Sequence, residues 1–74
     1  MDKETERLKG LLREAWEQAE WRMSKFYYPS IIQAEQREIW EIKQLFKAER
    51  LTYRDVEQTF ARIDQYMELI LSDD

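Results

Sequence analysis

Glu20-Trp21-Arg22-Met23-Ser24-Lys25-Phe26-Tyr27-Tyr28-Pro29-Ser30 is the stretch on which the fold turns. It holds four aromatic rings and one proline, and a helix can hide only one face. The residue before a proline avoids the α region. Pro29 is therefore read as the end of a first helix, predicted over residues 2–27. If Pro29 only kinks one long helix, the phases after it change and Tyr28 turns inward.

Upstream of the proline, acids crowd the first turns (Asp2, Glu4, Glu6), which suits the positive end of a helix dipole. Leu8, Leu12, Ala15, Trp16, Ala19, Met23, Phe26 and Tyr27 recur in steps of three and four and make one apolar stripe. Gly10 costs about 1 kcal/mol inside a helix without breaking it. Downstream, Ser30 reads as an N-cap, with Gln33 completing a Ser-x-x-Gln capping box. A second helix is predicted over residues 31–49, with a stripe of Ile32, Ile39, Ile42 and Phe46 and with Ile31 and Leu45 alongside. Thr52 is a further N-cap, and Leu51 and Val56 occupy the two positions of a hydrophobic staple. The third helix, residues 53–71, carries Tyr53, Val56, Phe60, Ile63, Met67 and Ile70. The acids of Ser72-Asp73-Asp74 oppose the dipole there, which predicts fraying.

Short connections make neighbouring helices antiparallel. The expected fold is all-α, an up-down-up three-helix bundle forming a single domain over residues 1–74. Setting Phe26 opposite Ile32 brings Ala19 opposite Ile39 and Leu12 opposite Phe46, so that small residues meet large ones. The same register puts Arg22 near Glu35 and Gln36. An Arg22–Glu35 ion pair at the hairpin end is expected. The other reading is two edge charges that snorkel to water.

Composition limits the chemistry. The 74 residues include no cysteine and no histidine, which removes disulfides, Cys or His zinc sites and every mechanism that needs imidazole or thiolate. Glu35, Glu38 and Glu41 follow one another at steps of three, but a di-metal carboxylate site in a bundle normally adds Glu-x-x-His motifs. These acids read as solvated charge on outer faces. One glycine cannot make a phosphate-binding loop, and no calcium loop is present. The serines have no histidine base. The expectation is no enzyme, no metal and no cofactor.

The net charge of −4, from 16 acids and 12 bases, argues against phosphate-backbone binding. Leu51-Thr52-Tyr53-Arg54-Asp55-Val56 resembles the opening of a helix-turn-helix unit. The tight turn and basic second helix that should follow are missing. No apolar run reaches the roughly 18 residues of a membrane span. The charged start Met1-Asp2-Lys3-Glu4 does not read as a signal peptide, and a cytoplasmic location is expected.

Some rings do not fit the core. On a wheel of about 100° per residue, Trp21 and Tyr28 share a face that points away from the helix 1 stripe. Trp40 points away from the stripe of helix 2, among Gln33, Gln36, Arg37, Gln44 and Lys47. Tyr66 and Leu69 lie off the stripe of helix 3. Tryptophan and tyrosine are enriched at interface hot spots. Trp21, Tyr28, Trp40, Gln36 and Gln44 are thus the candidate partner-binding residues. The competing reading is packing at the bundle edge, since single exposed apolar residues are normal.

The function this supports is a protein-binding module, an inhibitor or adaptor that occupies a partner protein's surface. Such small acidic proteins are common among phage- and mobile-element-encoded regulators, including inhibitors of host defence nucleases. That is an analogy of class, carried by no motif. The alternative is a homo-oligomeric subunit of a larger assembly. A nucleic-acid mimic, with acids standing for phosphates, fits less well because bases are scattered among the acids.

Overall fold

Pro29 opens the second helix rather than closing the first. In the computed structural model, which describes residues 2–72, α1 spans Lys3–Lys25, α2 spans Pro29–Phe46 and α3 spans Tyr53–Ser72. Proline suits the first helical position, where its missing N–H would have had no partner. Tyr28 becomes the N-cap of α2, with extended backbone and no side-chain cap. The predicted Ser30–Gln33 box does not form: Ser30 is already helical, and the Gln33 amide donates to the Tyr66 hydroxyl at 3.2 Å. Helix α1 stops two residues before the predicted end, and α2 stops three residues before its own. Asp73 and Asp74 lie outside the described residues.

Two side-chain caps form, Thr52 where the sequence predicted one and Asp2 where it placed only an acid in the first helical turn. The Asp2 carboxylate accepts from the Thr5 N–H at 2.7 Å. That hydrogen bond, together with the Arg50 charge nearby, holds the Asp2 carboxyl below its ordinary value. Thr52 caps α3 through a reciprocal pair: its hydroxyl accepts from the Asp55 N–H at 3.2 Å, and Asp55 accepts from the Thr52 N–H at 3.0 Å. The staple residue Leu51 is buried, with Val56 packed against its cluster.

The helices run up, down and up. Arg22 meets Glu35, the Trp16 ring meets Phe46, and Thr5 meets Leu51, so α1 and α2 are antiparallel within about one turn of the predicted register. Gln33 meets Tyr66 and Glu41 meets Arg62, which sets α3 antiparallel to α2. Helix α2 is the middle element. Both neighbours pack on it and touch each other only weakly. The result is thin, with principal extents of 42 × 22 × 14 Å.

The apolar core sits toward one end. Leu8, Leu12, Ile42 and Leu51 are buried together, and Trp16, Leu45, Phe46, Val56 and Phe60 pack around them. Thr5 joins them fully buried. Its hydroxyl accepts from the Leu51 N–H at 3.1 Å and reaches the Leu51 carbonyl at 3.5 Å, so one side chain satisfies both backbone groups of a buried connection residue. Leu8, Leu12, Ala15, Trp16, Ala19 and Met23 of the expected α1 stripe face inward, wholly or in part. Tyr53, expected in the α3 stripe, is exposed at the first position of that helix.

Gly10 has open space where a Cβ would stand and an ordinary helical backbone. Nothing within the chain requires a glycine there. Gly10→Ala should therefore stabilise the fold by about 0.5–1 kcal/mol, seen as a thermal midpoint several degrees higher. A lower midpoint would mean that the outer face of α1 is covered in solution.

Candidate functional site

Two features stand apart from the apolar core: a bare aromatic corner and a buried charged seam. The corner follows from the connection between α1 and α2. Because α1 ends at Lys25 and α2 begins at Pro29, residues 26–28 form the whole link. Three consecutive aromatic side chains on a link this short cannot all turn inward, and connections run over the surface. Phe26 and Tyr27, expected in the core, are exposed, Tyr27 by 80%. Trp21 is 57% exposed and stacks edge-on against Phe26, with ring centroids 6.5 Å apart. Lys25, Phe26, Tyr27 and Tyr28 line one shallow depression.

Trp21 and Tyr28 do not share a helix face as expected, because Tyr28 has left α1 with an extended backbone. They flank the same corner instead, with Phe26 and Tyr27 between them in the chain. The signal for those two rings was present in the sequence. A proline at the first position of α2 forces an extended residue before it, and that pulls the preceding rings off the wheel of α1.

Trp40 belongs elsewhere. It is 50% exposed, but the Arg37 guanidinium lies 4.9 Å from its ring centroid and 5.3 Å from that of Tyr66. Arg37 is thus held between a ring on α2 and a ring on α3, a cation–π arrangement that covers part of Trp40. Gln36 and Gln44 are exposed on α2 and flank Trp40 at helical spacing. The five candidate residues therefore fall in two places, Trp21 and Tyr28 at the corner and Trp40, Gln36 and Gln44 on the outside of α2.

The seam corrects the reading of the acids. Glu35, Glu38 and Glu41 are not solvated: they are 6%, 6% and 5% exposed. The buried face of α2 is Ala34, Glu35, Glu38, Glu41 and Ile42, turned roughly a quarter turn from the predicted isoleucine stripe at about 100° per residue. The cause is the middle position of α2. Its covered arc must face both neighbours, so Ile32, Ile39 and Phe46 fall on the flank, half-buried.

Buried charges need partners, and arginines on all three helices supply them. The expected Arg22–Glu35 pair forms as a two-pronged contact, Nε to Oε1 at 2.9 Å and Nη2 to Oε2 at 3.0 Å. The same Nη2 donates to Glu38 Oε2 at 3.1 Å. Gln36, expected near Arg22, is exposed. One turn on, Glu41 accepts from Arg37 at 3.1 Å and from Arg62 of α3 at 3.3 Å. Arg62 also donates to the buried Thr59 hydroxyl at 3.2 Å.

Charge is unevenly spread along this seam. Two carboxylates share Arg22, whereas two guanidinia share Glu41. Burial, then the hydrogen bond and charge of Glu35, push the Glu38 carboxyl up to about 7 against the pull of Arg22. The hydrogen bond to Glu35 raises the Arg22 guanidinium above its ordinary value.

Among the described residues no group of three or more acidic side chains is arranged to hold a metal ion, and no helix is long and apolar enough to cross a membrane. No protein family, curated protein or solved structure matches the chain.

Proposed function

We propose that this chain is a non-enzymatic protein-binding module, a small regulator of the inhibitor or adaptor kind that works by occupying a partner protein's surface. The observation that carries the reading is the aromatic corner. Trp21, Phe26, Tyr27 and Tyr28 stand exposed together, and the nine residues from Phe26 to Ala34 carry no charge in a chain that is 38% charged. Interfaces concentrate aromatic side chains and shed charge at their centre in this way.

The accessible surface is 5643 Å², whereas a compact monomer of this mass exposes roughly 4900 Å². The surplus of roughly 700 Å² follows from the thin shape of the bundle, 42 × 22 × 14 Å.

The uncharged run from Phe26 onward also favours a second reading, a homo-oligomer, since two copies can meet over these rings with Lys25 at the edge. One experiment separates the readings. A photo-cross-linking amino acid is placed at Tyr27 and, as a control, at Glu57 near the other end of the bundle. The proposal expects one dominant adduct from Tyr27 with a different protein, and none from Glu57. An adduct at twice the chain mass supports the homo-oligomer. No adduct at Tyr27 defeats both. Trp21→Gln should weaken the Tyr27 complex at least about 30-fold, the effect of losing an interface hot spot.

A further inference from the structure

We propose that the Arg22–Glu35–Glu38 cluster is a proton-operated latch on the α1–α2 hairpin: with a proton on Glu38 the seam is neutral and closed, and without it two carboxylates compete for one guanidinium and the last turns of α1 loosen from α2. The proposal rests on the seam alone and does not need the partner-binding reading.

The geometry carries the argument. Glu38 sits at the middle of the buried face of α2, with Glu35 three residues before it and Glu41 three after. At this position a bundle ordinarily places an apolar residue. Among the described residues Glu38 has one cationic partner, Arg22, at 3.1 Å, and Arg22 is already engaged by both oxygens of Glu35. The cations on the far side do not relieve it. Arg37 of α2 and Arg62 of α3 are both spent on Glu41. From α3 the groups around the seam are the Thr59 hydroxyl, which accepts from Arg62, the phenol of Tyr66, which accepts from Gln33, and the apolar Ile63. Two carboxylates that share a site cannot both ionise freely, so the second proton is held more tightly than on a free glutamate.

The place of the latch makes it consequential. Arg22 lies in the last turn of α1, and the Phe26 N–H donates to the Arg22 carbonyl at 2.9 Å. The contact that answers to the proton therefore anchors the turn from which the aromatic link departs. On α1 the apolar cluster draws on Leu8 and Leu12, with Ala15 and Trp16 packed against it; nearer the hairpin end α1 adds only the small buried Ala19 and the half-buried Met23. At the hairpin end the charged contact therefore acts beside packing by small or half-buried apolar groups.

The sign follows from the raised folded-state value. Below about pH 4.5, the ordinary value, Glu38 is protonated folded and unfolded, and its full contribution to stability is present. Between there and about 7 the unfolded chain gives up the proton while the folded chain keeps it, so stability falls as pH rises. Above the folded value both states are ionised and the loss is complete. By linkage the folding constant drops on the order of 100-fold across this window relative to a chain without the group.

The test compares wild type with Glu38→Gln, which keeps the shape of the protonated acid. Amide exchange at Phe26, corrected for the intrinsic rise with pH, should lose protection about 10-fold between pH 6 and 8 in wild type and stay flat in Glu38→Gln. Glu41→Gln should keep the wild-type pH dependence, since Glu41 faces two guanidinia. Carbon-detected titration of the Glu38 carboxyl in the unmodified chain should show a midpoint near 7. This reading does not depend on any variant folding. A midpoint in the ordinary glutamate range, or the same pH dependence in wild type and Glu38→Gln, overturns the latch.

Discussion

Arg22→Ala should cost about 2–4 kcal/mol at pH 7.5, somewhat below the scale for removing one partner of a fully buried ion pair, because the Arg22 side chain is 34% exposed. A domain of this length has roughly 4–11 kcal/mol in total, so the loss is a large share of the whole. The cost arises from what is left behind rather than from what is lost. Glu35 and Glu38 are both about 6% exposed and take their guanidinium bonds from Arg22 alone. Without it, two carboxyl groups remain at that exposure with their guanidinium gone. Lowering the pH should recover part of the stability, because protonation removes the unpaired charges.

The companion variant makes the argument sharper. Replacing all three groups with apolar residues, Arg22→Met with Glu35→Leu and Glu38→Leu, should be neutral or stabilising by about 1–4 kcal/mol. Chemical denaturation of the single and triple variants reads both effects. A single variant within about 1 kcal/mol of wild type would mean that water reaches the seam. A triple variant as unstable as the single one would mean that the cluster holds the helices by geometry that apolar packing cannot replace.

This seam also marks the limit of what the residue pattern could say. The three helices, their order and their pairing were legible because they rest on strong local signals: Pro29, Thr52, and apolar steps of three and four. The Arg22–Glu35 contact was legible because both residues interrupt apolar stripes at matching heights. The phase of α2 was not. Its isoleucines form a clean stripe, and acids are ordinarily solvated, so the pattern pointed the isoleucines inward. Whether α2 packs against one neighbour or lies between two is a tertiary matter. Lying between two widens the covered arc until it takes in Glu38 and Glu41, and only arginines from separate parts of the chain make that tolerable. Trp21, Trp40, Gln36 and Gln44 are exposed; Trp40, Gln36 and Gln44 lie far enough from the core side of α2 that a quarter-turn error in phase leaves them outside. Phe26 and Tyr27 were misplaced by two residues of helix end, the quantity that patterns fix least well.

The same asymmetry separates two apolar truncations that composition alone treats alike. Ile42→Ala should destabilise by about 2–5 kcal/mol, and Tyr27→Ala by no more than about 0.5 kcal/mol. Ile42 is fully buried and belongs to the cluster with Leu8, Leu12 and Leu51, which draws on α1, α2 and the connection before α3. Removing its side chain opens a cavity where these segments meet, and a bundle this thin has no second layer to collapse into it. Tyr27 is larger and equally apolar in outline, yet it stands in the link between α1 and α2, mostly in water. Its truncation removes little that folding buries. Paired denaturant titrations on the two variants measure the contrast directly. If Tyr27→Ala costs as much as Ile42→Ala, the link folds back over the bundle in solution and the aromatic corner is core, which removes the ground for a binding surface there. If Tyr27→Ala leaves stability alone while its complex weakens, the ring is kept for something outside the chain.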